Sequence, residues 1–179
     1  MIENQRIRLT KKMLKDSLLA TMKKKNIQNI SIKEICESAQ VNRSTFYKYY
    51  GTEIDLLKDI ENEHIQKMQE FLKYEDSKVI IIKFLTYIEE NIEVFKLFLE
   101  NSYQIDFLEK TLSICFLKMD ESESIFIKFE SIKKQKYMYD FIVFGCISII
   151  TKWISNTSRE TPEELKEIIF DLISKFLKK

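Results

Sequence analysis

Only three positions in this chain of 179 residues carry a residue that interrupts helices: Gly51, Gly145 and Pro162 are its whole complement of glycine and proline. Sheets need turns, and turns lean on those two residues for backbone conformations that others adopt at a cost. A chain so poor in both is expected to be all-α. Hydrophobic residues make up 45% of it, enough to fill a core without disulfides or metals. Cys36, Cys115 and Cys146 are odd in number and widely spaced, which fits reduced thiols in a helical core and a cytoplasmic location.

The polar, basic start MIENQRIRLTKK has no apolar run of the secretory kind. The longest apolar stretch, Phe141 to Ile150, falls short of the roughly 20 residues that span a bilayer, so neither secretion nor membrane insertion is expected.

Periodicity places the helices. Met13, Leu14, Leu18 and Met22 recur at helical spacing and mark a first helix from Thr10, closed by Lys23, Lys24 and Lys25. Ser31-Ile32-Lys33-Glu34 reads as a capping box opening a short second helix through Ala39. Asn42 then caps a third over Arg43 to Tyr50, and Thr52-Glu53-Ile54-Asp55 starts a long fourth to about Lys73. Two short helices joined by a tight turn, with another packed behind, have the lengths of a helix-turn-helix. Further helices are expected around Val79–Ile88, Val94–Leu99, Ile105–Met119 and Lys136–Asn156. The last opens on Thr161-Pro162-Glu163-Glu164, where Thr161 caps and Pro162 takes the first helical position. Between Asp120 and Gln135 the alternation of Ile125, Ile127 and Phe129 has no partner strand, so loop or irregular helix is expected.

Charge separates the two ends. Residues 1–60 hold 12 Lys and Arg against 7 Asp and Glu, a surplus of +5, and residues 61–179 hold 17 against 21, a deficit of −4. This outlines a basic head, residues 1–55, on a helical body, residues 56–179, with the fourth helix as hinge.

In a helix-turn-helix the second short helix offers its first residues to base edges while neighbouring hydroxyls and amides hold phosphate. The segment 42–49 carries such groups: the Arg43 fork suits guanine, Ser44 and Thr45 are short enough for close approach, and Tyr47, Lys48 and Tyr49 can donate to phosphates. Phe46 and Tyr50 are spaced for the inward face. Taken alone, these eight residues read more simply as a polar helix with surface aromatics.

The longer text SIKEICESAQVNRSTFYKYYGTEIDLL decides between them. It resembles the DNA-binding domain of the TetR family of bacterial regulators: a hydroxyl before the second helix, Ile-Cys for Ile-Ala, an Ala-x-Val turn and a Thr-aromatic-Tyr-x-Tyr-aromatic recognition helix. The resemblance implies operator contacts by Ser31, Asn42, Arg43, Ser44, Thr45, Tyr47, Lys48 and Tyr49, with Arg43, Ser44 and Lys48 reading bases. Two positions depart from the family pattern. Gln40 stands where glycine is usual, so a non-glycine residue has to take a left-handed conformation. Glu53 stands where many members have lysine, which puts one phosphate contact in doubt.

YDFIVFGCISIITKWISN and TPEELKEIIFDLISKF are similar to the C-terminal domains of a Firmicutes subgroup of that family, which includes regulators of dihydroxyacetone kinase genes. The likeness implies a helical ligand-binding and dimerisation domain, hence a homodimeric repressor modulated by a small molecule, with an activator as the alternative. The expected dimer face comprises Gly145, Ser148, Ile149, Leu165, Ile169, Leu172 and Phe176. An apolar effector would be lined by Phe84, Tyr87, Phe98, Phe116, Tyr137 and Phe141, residues that could equally be plain core.

No catalytic motif is visible, no cofactor or metal is implied, and the chain is not expected to be an enzyme. His64, the single histidine, lies in the charged run Glu61-Asn62-Glu63-His64 and reads as a solvated helix residue. A helical adaptor binding protein through the aromatics of 46–50 is the rival from another class.

Overall fold

The computed structural model describes residues 5–74, 76–100 and 132–177. Among these, every regular element is helical. They form two compact units, Met1–His64 and Ile65–Lys179. The division falls within the long fourth helix, later than residue 55.

In the first unit, α1 (Gln5–Met22) buries Leu14, Leu18 and Met22 of the stripe its spacing marks, and leaves Met13 exposed at its edge. The Ser17 hydroxyl fastens it to α2 (Ile32–Ser38) by donating to the Ile35 carbonyl at 2.9 Å. α2 starts on the expected capping box: the Glu34 amide donates to Ser31 Oγ at 3.3 Å and the Ser31 amide donates to the Glu34 carboxylate at 3.0 Å. The Lys25 ammonium, then the Ser31 amide and hydroxyl, hold the Glu34 carboxyl down at about 2. Gln40, in the turn after α2, has φ 54°, the left-handed conformation that the family resemblance implies at a position where glycine is usual.

α3 (Arg43–Phe46) is shorter than the expected run to Tyr50. Beyond Phe46 the Lys48 and Tyr49 amides donate three residues back, to the Thr45 and Phe46 carbonyls, the tightening by which helices end. α4 (Glu53–Gln69) opens on Thr52, whose amide donates to Asp55 Oδ2 at 2.9 Å while the Asp55 amide donates to Thr52 Oγ1 at 3.1 Å. Leu14, Leu18, Ile35, Phe46 and Leu56 are wholly buried, each stabilising the unit by about 1.5–3 kcal/mol.

In the second unit, α5 (Ser77–Glu90) and α6 (Ile92–Glu100) are neighbours; α6 packs on α7 (Ile132–Ser155), and α5 on α8 (Pro162–Leu177). Phe71, Tyr87, Phe95 and Phe98 make a chain of edge-on rings with centroids 5.8, 6.3 and 5.8 Å apart. α8 has the expected start, the Glu164 amide donating to Thr161 Oγ1 at 3.2 Å and the Thr161 amide donating to the Glu164 carboxylate at 2.8 Å. Buried Trp153 closes the connection from α7 by donating Nε1–H to the Glu160 carbonyl at 2.8 Å.

α7 begins at Ile132, ahead of the expected Lys136. The helix expected at Ile105–Met119, and most of the stretch from Asp120, lie outside the described residues. By length and composition alone, Lys136–Ser155 could cross a bilayer: an 18-residue stretch within its 20 residues has a mean hydropathy of 1.4. The contiguous run from Phe141 does not suggest this. Ile142, Val143, Cys146, Ile150, Trp153 and Ile154 spend much of that apolar surface on the interior of the unit, as core helices of bundles do.

His64 corrects the reading of a solvated side chain. It is half-buried, and burial holds its imidazole below the ordinary value. Burial likewise raises the thiols of Cys36 and Cys146, the latter to about 12, so neither is a thiolate at neutral pH.

Candidate nucleic-acid interface

The segment from Asn42 to Tyr50 has two faces. Phe46 and Tyr50 point inward, 0% and 7% exposed, and their rings pack 5.7 Å apart. That anchorage leaves Arg43, Ser44, Tyr47 and Lys48 exposed, with Thr45 and Tyr49 half-buried at the edges. Tyr47 is 58% exposed and stands edge-on to Phe46, with ring centroids 5.7 Å apart.

Asn42 fixes the start. Its side-chain oxygen accepts from the Ser44 amide at 3.0 Å and from the Ser44 hydroxyl at 3.1 Å. Ser31 is exposed at the start of α2, with its hydroxyl donated to the Glu34 carboxylate at 2.9 Å, so the capping box accounts for it without any external partner. The Lys11 ammonium lies 5.8 Å from the Tyr49 ring centroid, a cation beside the exposed face that local spacing could not reveal, since Lys11 is in α1 and Tyr49 follows α3. Glu53 is half-buried in the first turn of α4, where the helix dipole favours a carboxylate. The surface can therefore offer a planar guanidinium, short hydroxyls, a tyrosine hydroxyl and ammonium groups to an anionic, groove-bearing ligand.

Among the described residues, those expected to line an effector cavity fall into two groups. Phe84 and Phe98 are fully buried core and Tyr87 is half-buried, whereas Tyr137 and Phe141 lie 65% and 55% exposed on the outer side of α7. Their helix is amphipathic, and the inward ridge belongs to Ile142, Cys146 and Trp153. Phe116 lies outside the described residues.

Of the expected dimer face, Gly145 and Ser148 are exposed, Ile149 is half-buried and Leu172 is 38% exposed. An apolar groove of about 100 Å³ between α7 and α8 is lined by Phe141, Gly145, Ile149, Ile169 and Leu172 among others. Leu165 and Ile169 are instead 3% and 2% exposed; they face the unit's own interior, and Ile168 takes their place on the surface at 42%. The side chain of Phe176 is outside the described set.

A short polar segment braced by two inward aromatics, following a tight turn from another short helix, defines a helix-turn-helix DNA-binding class. Residues 75–175 match the family model TetR_C_8, a "Transcriptional regulator C-terminal region". That is more than half the sequence, and the chain belongs to the TetR family of transcriptional regulators. It is 22% identical over 175 residues to the "Uncharacterized HTH-type transcriptional regulator YxbF" of Bacillus subtilis (strain 168), a match covering 90% of this chain. The chain spans only 44% of that relative's length.

Solved structures show the same fold. A TetR transcriptional regulator from Streptococcus agalactiae 2603V superposes with a TM-score of 0.78 at 18% identity, over 97% of this chain and 98% of that one. The dihydroxyacetone kinase operon activator DhaS gives 0.69 at 17%, over 94% and 96%. Lin0861 from Listeria innocua gives 0.66 at 20%, over 99% and 96%.

Proposed function

We propose that this regulator is a cytoplasmic homodimer that binds two-fold operator DNA through residues 31–49, represses transcription and responds to an apolar small molecule. The observation that carries the DNA contact is the outward row Arg43, Ser44, Tyr47 and Lys48 on a segment anchored by buried Phe46 and Tyr50. Arg43 pairs with guanine O6 and N7, Ser44 and Lys48 reach neighbouring bases, and Tyr47 and Tyr49 donate to phosphates and set the register.

Dimerisation is supported by the outer side of α7 and α8. Tyr137, Phe141, Phe144, Ile168 and Leu172 are large, apolar and 38–65% exposed, and a Cβ added at Gly145 would meet nothing within 4 Å. A second copy seated there by two-fold symmetry gives a four-helix interface, and paired recognition segments must meet major grooves about 34 Å apart. The ring chain of Phe71, Tyr87, Phe95 and Phe98 gives the second unit an aromatic interior, the character of site that takes an apolar effector.

Selection of duplexes from random-sequence DNA, followed by binding at several salt concentrations, tests this reading. Enrichment of a two-fold sequence, with affinity falling steeply as salt rises, is the expected result; a protein-binding adaptor enriches none. Activation is the second reading, favoured by the fold shared with DhaS, which is described as an operon activator. A promoter reporter carrying the selected site distinguishes the two by the sign of its response.

A further inference from the structure

Lys15 has its charge in the interior of the first unit. Its side chain is 10% exposed, and the ammonium lies 2.7 Å from the carboxylates of both Asp59 and Glu63. Two ion pairs thus clamp α1 to α4, and the ammonium is not left unpaired in a poorly solvated site. Asp59 makes a third connection: Tyr50 donates its hydroxyl to Asp59 Oδ2 at 2.7 Å. Burial alone would raise the Asp59 carboxyl, but the bonds from Lys15 and Tyr50 outweigh it and hold it below the usual carboxylate value.

Packing does not require that hydroxyl. The Tyr50 ring, tilted on Phe46 at 5.7 Å and beside Tyr49 at 6.4 Å, would be served as well by phenylalanine. What the oxygen adds is a charge-assisted hydrogen bond, short and directional, from the end of the recognition segment to an α4 side chain that α1 already holds. Tyr49 lies beside Tyr50, and Tyr47 stands edge-on to the same Phe46 with ring centroids 5.7 Å apart.

We propose that Asp59 is a positioning residue for DNA binding: held by Lys15, it fixes the end of the recognition segment through Tyr50 and so directs Tyr47 and Tyr49 toward the phosphates. This rests on the DNA-binding function proposed above. Asp59 need not touch DNA, so its removal weakens binding to all sequences alike and leaves their ranking intact.

Three variants and one pair test it. Tyr50→Phe removes only the donor oxygen. Asp59→Ala removes the acceptor but leaves Lys15 paired with Glu63, and Asp59→Asn restores an accepting oxygen. The probe is a duplex selected by the wild type from random-sequence DNA, with affinities measured at fixed salt well below each variant's melting temperature and helicity followed by circular dichroism. Tyr50→Phe and Asp59→Ala are each expected to weaken binding roughly three- to thirtyfold. The double variant should be no weaker than the worse single one, and Asp59→Asn, which keeps an accepting oxygen but loses the charge, should fall between Asp59→Ala and wild type.

Lowered melting temperatures with unchanged affinities overturn the inference, as do single effects that multiply in the double variant. If Asp59→Ala does not fold, Tyr50→Phe and Asp59→Asn still decide. A wild type that selects no duplex overturns the DNA-binding function and this inference with it; a wild type that selects one, with variants that bind it equally well, overturns the inference alone.

Discussion

The buried hydroxyl of Ser17 donates to the carbonyl of Ile35 at 2.9 Å, joining α1 to α2 across 18 residues of chain. The same carbonyl also accepts from the Ala39 amide at 2.9 Å. Ser17→Ala therefore removes one hydrogen bond without orphaning its acceptor. The expected loss is about 0.5–1.5 kcal/mol, read as a lower urea midpoint with an unchanged m-value; no change would mean the bond contributes nothing net.

Gln40 is held at φ 54°, and a left-handed conformation costs an ordinary residue about 1–2 kcal/mol. Glycine relieves that strain but loses part of the gain to its freer unfolded chain. Gln40→Gly is expected to stabilise the protein by roughly 0.5–1 kcal/mol, seen as a rise in melting temperature.

The capping boxes at Ser31–Glu34 and Thr161–Glu164 are legible in the sequence because each depends on residues within one turn of chain, whereas the strain at Gln40 follows from the family resemblance, which has glycine there. The Tyr50–Asp59 bond and the Lys11–Tyr49 contact join the segment after α3 to α4 and α1, and no spacing announces them. Leu165 and Ile169 share a stripe with Leu172, yet only packing against α5 decides which edge of that stripe turns inward. The start of α7 at Ile132, ahead of Lys136, is obscured because the alternation of Ile125, Ile127 and Phe129 points away from a helix, although Ser131 is a residue of N-cap type.

The Glu34 carboxyl is lowered from 4.5 to about 2 by Lys25 and Ser31. A depressed folded-state value means that its stabilising contribution is complete above the unfolded value and is lost as pH falls toward the folded one. Between pH 4.5 and about 2 the wild type should lose this contribution. Glu34→Gln, which cannot titrate, should start less stable and show a shallower acid decline, so that thermal melts of the two converge as pH falls.

Leu172 is 38% exposed on the groove between α7 and α8. Leu172→Glu places a charge in the proposed dimer face, where an unpaired buried carboxylate is strongly unfavourable. Sedimentation is expected to show monomers with intact helicity and with tight binding to a two-fold duplex lost. A monomer that binds such a duplex at wild-type affinity would contradict the dimer mechanism.

The central claim is that the row beginning at Arg43 reads DNA sequence, and it is tested by comparing wild type and Arg43→Ala on two duplexes at one salt concentration: the one the wild type selects and a scrambled version of it. The guanidinium fork is expected to contribute about 1–3 kcal/mol of discrimination, so Arg43→Ala should lose roughly five- to hundredfold on the selected duplex and much less on the scrambled one. An unchanged ratio between the two duplexes would contradict the account.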